Sequence, residues 1–305
     1  MSVILCGDCL DVLRGFPDDC IDLIVTSPPY ADRRKGSYGG IPGEKYVQWF
    51  LPRSAEFLRV LGRSGSFILN IKEGTVNGER QTYVMELVLA LRQQGWKWIE
   101  EYSWYKTSSM PGFWPTRFRD AWEHLFHFAK TLRPFMDQDA VRVPAKPSTI
   151  ARGEQTARAD EREAGRDNSE NGSGFGIRRT CAIGVETVLP DNVLRLCPES
   201  RNKRHPSALP LALPQFFVRL LCPPGGSVLD PSSGSGTTCV AAEGFGRQAV
   251  GIDMSPEYCE VARQRMAKAT EDCPFTIQSA DFSSTSHPPT RIDTHIDRFS
   301  RGRPE

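Results

Sequence analysis

The run Ser227–Asp253, SVLDPSSGSGTTCVAAEGFGRQAVGID, restricts the possible fold more than any other part of the chain. An apolar run of strand length ends at Asp230. A loop with Gly234 and Gly236 follows, helical spacing begins near Thr237, and a second apolar run, Gln248–Asp253, closes on an acid. Strand, glycine loop, helix and strand in this order form a crossover between parallel strands. Helices cover parallel strands on both faces, so such strands read as continuous apolar runs rather than as alternation. The same texture recurs at Val3–Cys6, Ile21–Thr26 and Gly65–Ile71, with further strands predicted at Ile99–Trp104 and Glu123–Phe128. Helical spacing covers Tyr46–Leu61, Thr82–Gln94 (stopped by Gly95), Pro210–Leu221 and Pro256–Ala269, and a short helix or turn begins at Asp8. The chain is therefore predicted to be an α/β protein built on one doubly wound, mostly parallel sheet.

From Thr131 to about Asn202 the texture changes, and apolar periodicity nearly vanishes across Ser148–Gly176. The expected organisation is two halves of one domain, 1–130 and 203–270, an intervening and partly flexible insert, 131–202, and a polar tail, 271–305, given no fold. Of the 305 residues, 39% are hydrophobic and 25% charged, ordinary for a soluble globular protein. The formal net charge of +1 neither suggests nor excludes a nucleic-acid partner, because a basic face can hide in a neutral total. The start MSVILCGDCL lacks the pattern of a secretory signal, and no apolar run approaches the ~20 residues of a membrane span, so a cytoplasmic protein is expected. Nine cysteines without a signal imply free thiols. Cys6 and Cys9 have zinc-site spacing but no second cysteine pair at zinc-ribbon distance, so no metal site is expected.

The glycine loop predicts its own ligand. Glycines let a ligand approach the backbone, and the helix N-terminus offers free N–H groups. The spacing departs from G-x-G-x-x-G, since Thr238 and Cys239 stand where the third glycine belongs. A carboxylate at Asp230 repels a pyrophosphate and attracts an ammonium group. Asp253, at the end of the next strand, lies beside the loop and is placed to accept from both hydroxyls of a ribose. An α-amino group, a sulfonium and a ribose together describe S-adenosyl-L-methionine better than a dinucleotide.

A further strand-like run, Asp22–Val25 of DLIVTSPPY, stops against Thr26-Ser27-Pro28-Pro29-Tyr30. Two prolines have no N–H to donate and push the residues before them into extended conformations. Taken together, TSPPY and VLDPSSGSGTT resemble the amino-methylating DNA methyltransferases, which modify N4 of cytosine or N6 of adenine. With the tetrad first, a variable region next and the cofactor loop last, the order is similar to the β class. The resemblance covers about Val3 to Ala269 outside the insert. It implies a circularly permuted, seven-stranded, Rossmann-like sheet, with 1–130 as the catalytic half, 203–270 as the cofactor half and 131–202 as the target-recognition insert. It further implies a cofactor site of Asp8, Thr26, His205, Pro206, Asp230, Pro231, Ser233, Gly234, Gly236, Thr237, Thr238 and Asp253. Ser232 departs from the bulkier residue common in the family.

The implied catalytic residues are Ser27, Pro28, Pro29 and Tyr30. An exocyclic amine conjugated to a ring is a poor nucleophile, so the site must accept its N–H bonds and aim its lone pair. The Ser27 hydroxyl and the Pro28 carbonyl are the expected acceptors, and positioning carries the catalysis. The base must leave the duplex, and Tyr30 is the expected stacking face, a contact worth ~1–3 kcal/mol. Family members acting on adenine usually carry Asp or Asn in place of Ser27, so the resemblance implies N4-cytosine methylation, with N6-adenine as the alternative. A 5-methylcytosine enzyme uses a Cys nucleophile, usually after Pro, and the chain has no Pro-Cys pair.

The expected partner is double-stranded DNA. Arg33, Arg34 and Lys35 follow the tetrad directly, and Arg178, Arg179, Arg201 and Arg204 are candidates in or beside the insert, since Arg pairs bidentately with guanine. Arg117 and Trp114 are candidates near the cleft. A homodimer and a cognate restriction endonuclease acting on the same site are open as further partners.

Overall fold

The structure, a computed structural model, describes residues 2–32, 40–109, 112, 115–151, 186–199 and 209–269. In chain order the strands are β1 (Val3–Cys6), β2 (Ile21–Thr26), β3 (Leu61–Ile71), β4 (Thr75–Val76), β5 (Glu79–Arg80), β6 (Lys97–Lys106), β7 (Trp122–Ala129), β8 (Val143–Pro144), β9 (Thr187–Val188), β10 (Val193–Leu196), β11 (Ser227–Asp230) and β12 (Gln248–Asp253). The helices are α1 (Cys9–Leu13), α2 (Gly43–Val60), α3 (Tyr83–Gln94), α4 (Ala212–Leu221), α5 (Thr237–Gly244) and α6 (Pro256–Ala269). The described residues fall into two compact units, one drawn from 1–137 and 191–269, the other from 138–190.

The first unit holds a mixed sheet in the order β1-β12-β11-β2-β3-β7-β6-β10. Only β7 runs against its neighbours, pairing antiparallel with β3 and β6. Side chains alternate across the sheet. Ile24, Phe67, Leu69, Leu229, Val250 and Ile252 join the core cluster with α2 and α3, while Leu23, Ile68 and Val228 are equally buried outside it. Helices α1, α2 and α3 pack as one group and α4, α5 and α6 as another, which gives the apolar strands cover on both faces.

The expected seven strands are eight. Val193–Leu196, assigned from the sequence to the insert, adds to the sheet as an edge strand parallel to β6, Val193 opposite Ser103 through Leu196 opposite Lys106. Such a strand is held by long-range bonds such as Ser103 N–H to the Asn192 carbonyl at 2.9 Å, and a four-residue run in polar surroundings carries little local signal of it. Helix α2 starts at Gly43, three residues before the expected Tyr46, and β3 starts at Leu61, four before the expected Gly65.

The permuted order is visible in the packing. Helix α6 follows β12 and covers β1, with the Arg263 guanidinium donating to the Ile4 carbonyl at 3.1 Å. The N-terminal strand thus occupies the place that a chain continuing from α6 would reach. At the centre, β2 leads towards the α2 group and β11 towards the α5 group, so the carboxyl ends of these adjacent strands flank the topological switch point. TSPPY and the glycine loop both start there.

The second unit is described over 138–151 and 186–190. It contains a 3₁₀ turn at Asp139–Val141 and the antiparallel pair β8–β9. Arg142 ties them, its Nε donating to Thr187 Oγ1 at 3.0 Å and its Nη2 to the Thr187 carbonyl at 2.9 Å.

Candidate active site

Asp230 ends β11 with its carboxylate buried. The Thr26 hydroxyl donates to its Oδ1 at 2.9 Å and the Ser232 N–H donates to the same oxygen at 3.1 Å. Burial pushes the Asp230 carboxyl up to about 6, against the opposing bonds from the Thr26 hydroxyl and the Ser232 N–H. Asp253 ends β12 and braces the other side of the loop. Its Oδ2 accepts from the Gly234 N–H and its Oδ1 from the Ser255 N–H, both at 2.9 Å. The Ser233 N–H donates to the Ile252 carbonyl at 2.9 Å, while Ser233 Oγ is buried with no partner among the described residues.

Gly236 caps α5 at φ 78°, a left-handed conformation that glycine adopts without strain. A Cβ there would also lie 2.8 Å from Ala262 Cβ, so the small residue serves both the turn and the approach of α6. Below the loop Arg265 Nη1 donates to the Ser235 carbonyl at 2.6 Å and to Thr237 Oγ1 at 3.0 Å. Nothing in the sequence marked Arg265. The result is a loop locked at both strand ends by acids, with the Ser233 hydroxyl as a free polar group.

Asp8 follows β1, whose last residue Cys6 stands opposite Asp253. Its Oδ1 caps α1 through the Leu10 N–H at 2.9 Å, and its Oδ2 pairs with Arg53 Nη2 at 2.5 Å. The Arg53 guanidinium in turn lies 4.4 Å over the Trp49 ring. Asp8 is thus held by a cation that the sequence did not single out. Cys6 is exposed, and burial pushes the Cys9 thiol up to about 12.

At the tetrad, the Pro29 carbonyl accepts from Tyr46 Oη at 2.9 Å, which fixes the corner to α2. Tyr30 is anchored through its hydroxyl. Oη lies 2.6 Å from Glu123 Oε2 and 3.2 Å from Asn70 Oδ1, and it receives the Ser27 hydroxyl at 3.4 Å. Burial, then the charge of Glu123, holds the phenol well above its ordinary value, so Tyr30 stays neutral. Glu123 also accepts from Asn70 Nδ2 at 3.0 Å on Oε2 and from Lys106 Nζ at 2.5 Å on Oε1. Asn70, Glu123 and Lys106 were not expected from the sequence. They meet Tyr30 because β7 is antiparallel, which brings the start of β7 to the carboxyl ends of β3 and β6.

Beside this cluster, Glu73 pairs with Arg80 at 2.7 Å and with His124 Nε2 at 3.3 Å, while His124 Nδ1 lies 2.7 Å from Glu101. Lys72 Nζ sits 3.6 Å over the Trp122 ring. Of the expected DNA-facing cations, Arg117 is paired with Asp120 at 3.5 Å. Arg33, Arg34, Lys35, Arg178, Arg179, Arg201 and Arg204 lie outside the described residues, as do His205, Pro206, Trp114 and the tail. Among the described residues no helix is long and apolar enough to cross a membrane.

A family model described as DNA methylase (N6_N4_Mtase) matches residues 21–264. The Type II methyltransferase M.PvuII of Proteus hauseri is 28% identical over 273 residues, which cover 83% of this chain and 80% of that protein. The solved structure of PvuII DNA methyltransferase (cytosine-N4-specific) is similar at a TM-score of 0.65 and 25% identity, across 88% of this chain and 92% of that one. TTHA0409 of Thermus thermophilus, solved in complex with S-adenosyl-L-methionine, shares the fold at a TM-score of 0.57 and 22% identity, across 88% of this chain and 94% of that one. With a braced glycine loop and a proline corner on adjacent strands, and the family match spanning most of its length, the chain belongs to the N6/N4 DNA methylase family and is a DNA methyltransferase.

Proposed function

We propose that the protein transfers a methyl group from S-adenosyl-L-methionine to the exocyclic N4 amine of a cytosine extruded from duplex DNA. The observation that carries this reading is the 2.9 Å bond from Thr26 to Asp230. It joins the last residue before the proline corner to the last residue before the glycine loop, so a methyl donor in the loop abuts an amine at the corner. The residues fit the cofactor. Asp230 offers a buried carboxylate for an α-ammonium group, Asp253 stands at the strand end where a ribose is received, and Ser233 Oγ is a buried hydroxyl awaiting a partner. The cofactor, when bound, supplies an electrophilic methyl group. Asp8, at the neighbouring strand end, fits the adenine side.

The chain's own part is to hold and orient. The Ser27 hydroxyl and Pro28 carbonyl accept from the amine and turn its lone pair towards the loop, and the Tyr30 ring, clamped by its hydroxyl, supplies a rigid face for the extruded base. A hydroxyl at Ser27 favours cytosine, whose N3 is an acceptor beside N4 that a carboxylate would repel. The likeness to M.PvuII, named cytosine-N4-specific in its solved structure, supports the same base. The target-recognition role falls to 131–202, and the Type II relatives support a restriction endonuclease partner on the same site; a homodimer is compatible with this reading. Unmethylated plasmid DNA incubated with the protein and S-adenosylmethionine, then digested to nucleosides and analysed by mass spectrometry, is expected to yield N4-methylcytosine. N6-methyladenine alone would overturn the choice of base.

A further inference from the structure

Glu123 is almost wholly buried, its side chain 11% exposed, yet it lies on the edge where the tetrad ends. Its neighbours settle the direction of a hydrogen-bond chain. Tyr30 has one hydroxyl proton and two acceptors within reach, Glu123 Oε2 at 2.6 Å and Asn70 Oδ1 at 3.2 Å. The shorter contact is to a charged acceptor, and charge-assisted bonds are the stronger ones. Asn70 Nδ2 donates to the same Glu123 oxygen and to the His124 carbonyl at 3.1 Å, which holds the carboxylate beside Tyr30. With its proton committed to Glu123, Tyr30 Oη turns a lone pair towards Ser27. The Ser27 hydroxyl, 3.4 Å away, then donates to Tyr30. Its own lone pairs are left for an incoming amine. Contacts at this long end of the range are common in the absence of substrate and tighten when it binds.

We propose that Glu123 is a positioning residue for methyl transfer, acting through Tyr30 to hold the Ser27 hydroxyl as an acceptor and receiving the proton that the amine releases. This rests on the functional reading above. As the N–CH3 bond forms from the nitrogen lone pair, the S–CH3 bond breaks and its electron pair returns to sulfur. The methylated nitrogen is then cationic, and one N–H bond breaks with its electrons staying on nitrogen. The proton passes to Ser27 Oγ, the Ser27 proton to Tyr30 Oη and the Tyr30 proton to Glu123 Oε2. Both hydroxyls end neutral, the carboxylate ends protonated, and no further reactant is needed. Lys106, on the other oxygen at 2.5 Å, holds the carboxylate in place while Oε2 serves the chain.

The test compares Glu123→Gln, Tyr30→Phe and the double variant in single-turnover transfer of labelled methyl from S-adenosylmethionine to unmethylated plasmid DNA. Melting temperature and dissociation constants for S-adenosylmethionine and the plasmid are measured alongside. Tyr30→Phe keeps the ring and removes only the oxygen. Each single variant is expected to slow the transfer step about tenfold or more, the loss of one oriented charge-assisted bond, with both dissociation constants within about twofold of the unmodified protein. The double variant is expected to be no slower than the slower single one, because both changes cut one chain. Unmodified rates in either variant, or losses that multiply in the double variant, overturn the proposal. If Glu123→Gln lowers the melting temperature sharply, Tyr30→Phe decides alone. The nucleoside made by the unmodified protein tests the choice of base separately, since the rate ratios hold for whichever base is modified.

Discussion

Replacing Asp253 with alanine is expected to raise the dissociation constant for S-adenosylmethionine at least about a hundredfold. Two losses combine. The carboxylate accepts the Gly234 and Ser255 N–H groups at 2.9 Å each, so alanine leaves a buried and a half-buried donor without their acceptor. Each orphaned donor costs about 1–3 kcal/mol in the loop conformation observed, and the loop relaxes away from it. The same substitution removes the acid that the proposed site offers to the ribose hydroxyls. Asp253→Asn retains one carbonyl acceptor and is expected to fall between the two. Titration calorimetry of the three proteins, each checked by its melting curve, measures this directly. An alanine variant that keeps its fold and binds the cofactor as tightly as the unmodified protein would refute the assignment of the loop. The effect should appear in binding before any transfer step, which separates it from the Tyr30 and Glu123 variants, whose expected losses are in the step itself.

The parts of this fold that were legible in the sequence are those whose cause is local. Ile21–Thr26, Ser227–Asp230 and Gln248–Asp253 are central parallel strands buried on both faces, so each reads as a mostly apolar run with a sharp end. Gly95 ends α3 at φ 116°, and a glycine after a helical pattern announces that cap. Thr26, Asp230, Gly234 and Asp253 could be named because motif residues sit at strand ends. Glu123, Asn70 and Lys106 carry no such mark. Each is one polar residue in a strand of ordinary composition, and its place depends on the antiparallel register that sets Asn70 opposite Leu125 and Trp104 opposite Glu123. Arg53 and Arg265 were hidden for the same reason, since an arginine on a helix reads as a solvated cation until its long-range partner is known. The edge strand Val193–Leu196 extends the point from side chains to backbone. Its pairing is a tertiary event, and the polar residues around it resemble a loop.

Acid should destabilise the protein through His127, with an onset well above the carboxylate range. The ring is fully buried in β7, with Nε2 2.9 Å from Ser66 Oγ and Nδ1 without a partner among the described residues. Burial lowers its pKa from 6.5 to about 4. Between those values the unfolded chain binds a proton that the folded chain refuses. The stabilisation is therefore complete above 6.5 and is lost as pH falls towards 4. At about 1.4 kcal/mol for each pH unit in that window, the loss is roughly 3 kcal/mol. Other groups, Glu73 and Asp230 among them, shape the same curve. Glu73 lies at about 2 because its bonds to His124 and its neighbours outweigh burial, so its stabilisation is lost only below about 4.5. Asp230 acts in the opposite direction. Its carboxyl, raised from 3.8 to about 6, favours the folded state in acid and loses that contribution as pH rises through 6. Because Asp230 offsets His127 between pH 4 and 6, the unmodified protein's curve alone understates the histidine. The measurement is urea unfolding from pH 4 to 7.5 for the unmodified protein and for His127→Phe, which removes the titrating group. The difference between the two curves should change by roughly 3 kcal/mol across the window while the Asp230 contribution cancels. Parallel curves would mean that His127 accepts its proton in the folded state, and that β7 opens to solvent at the ring.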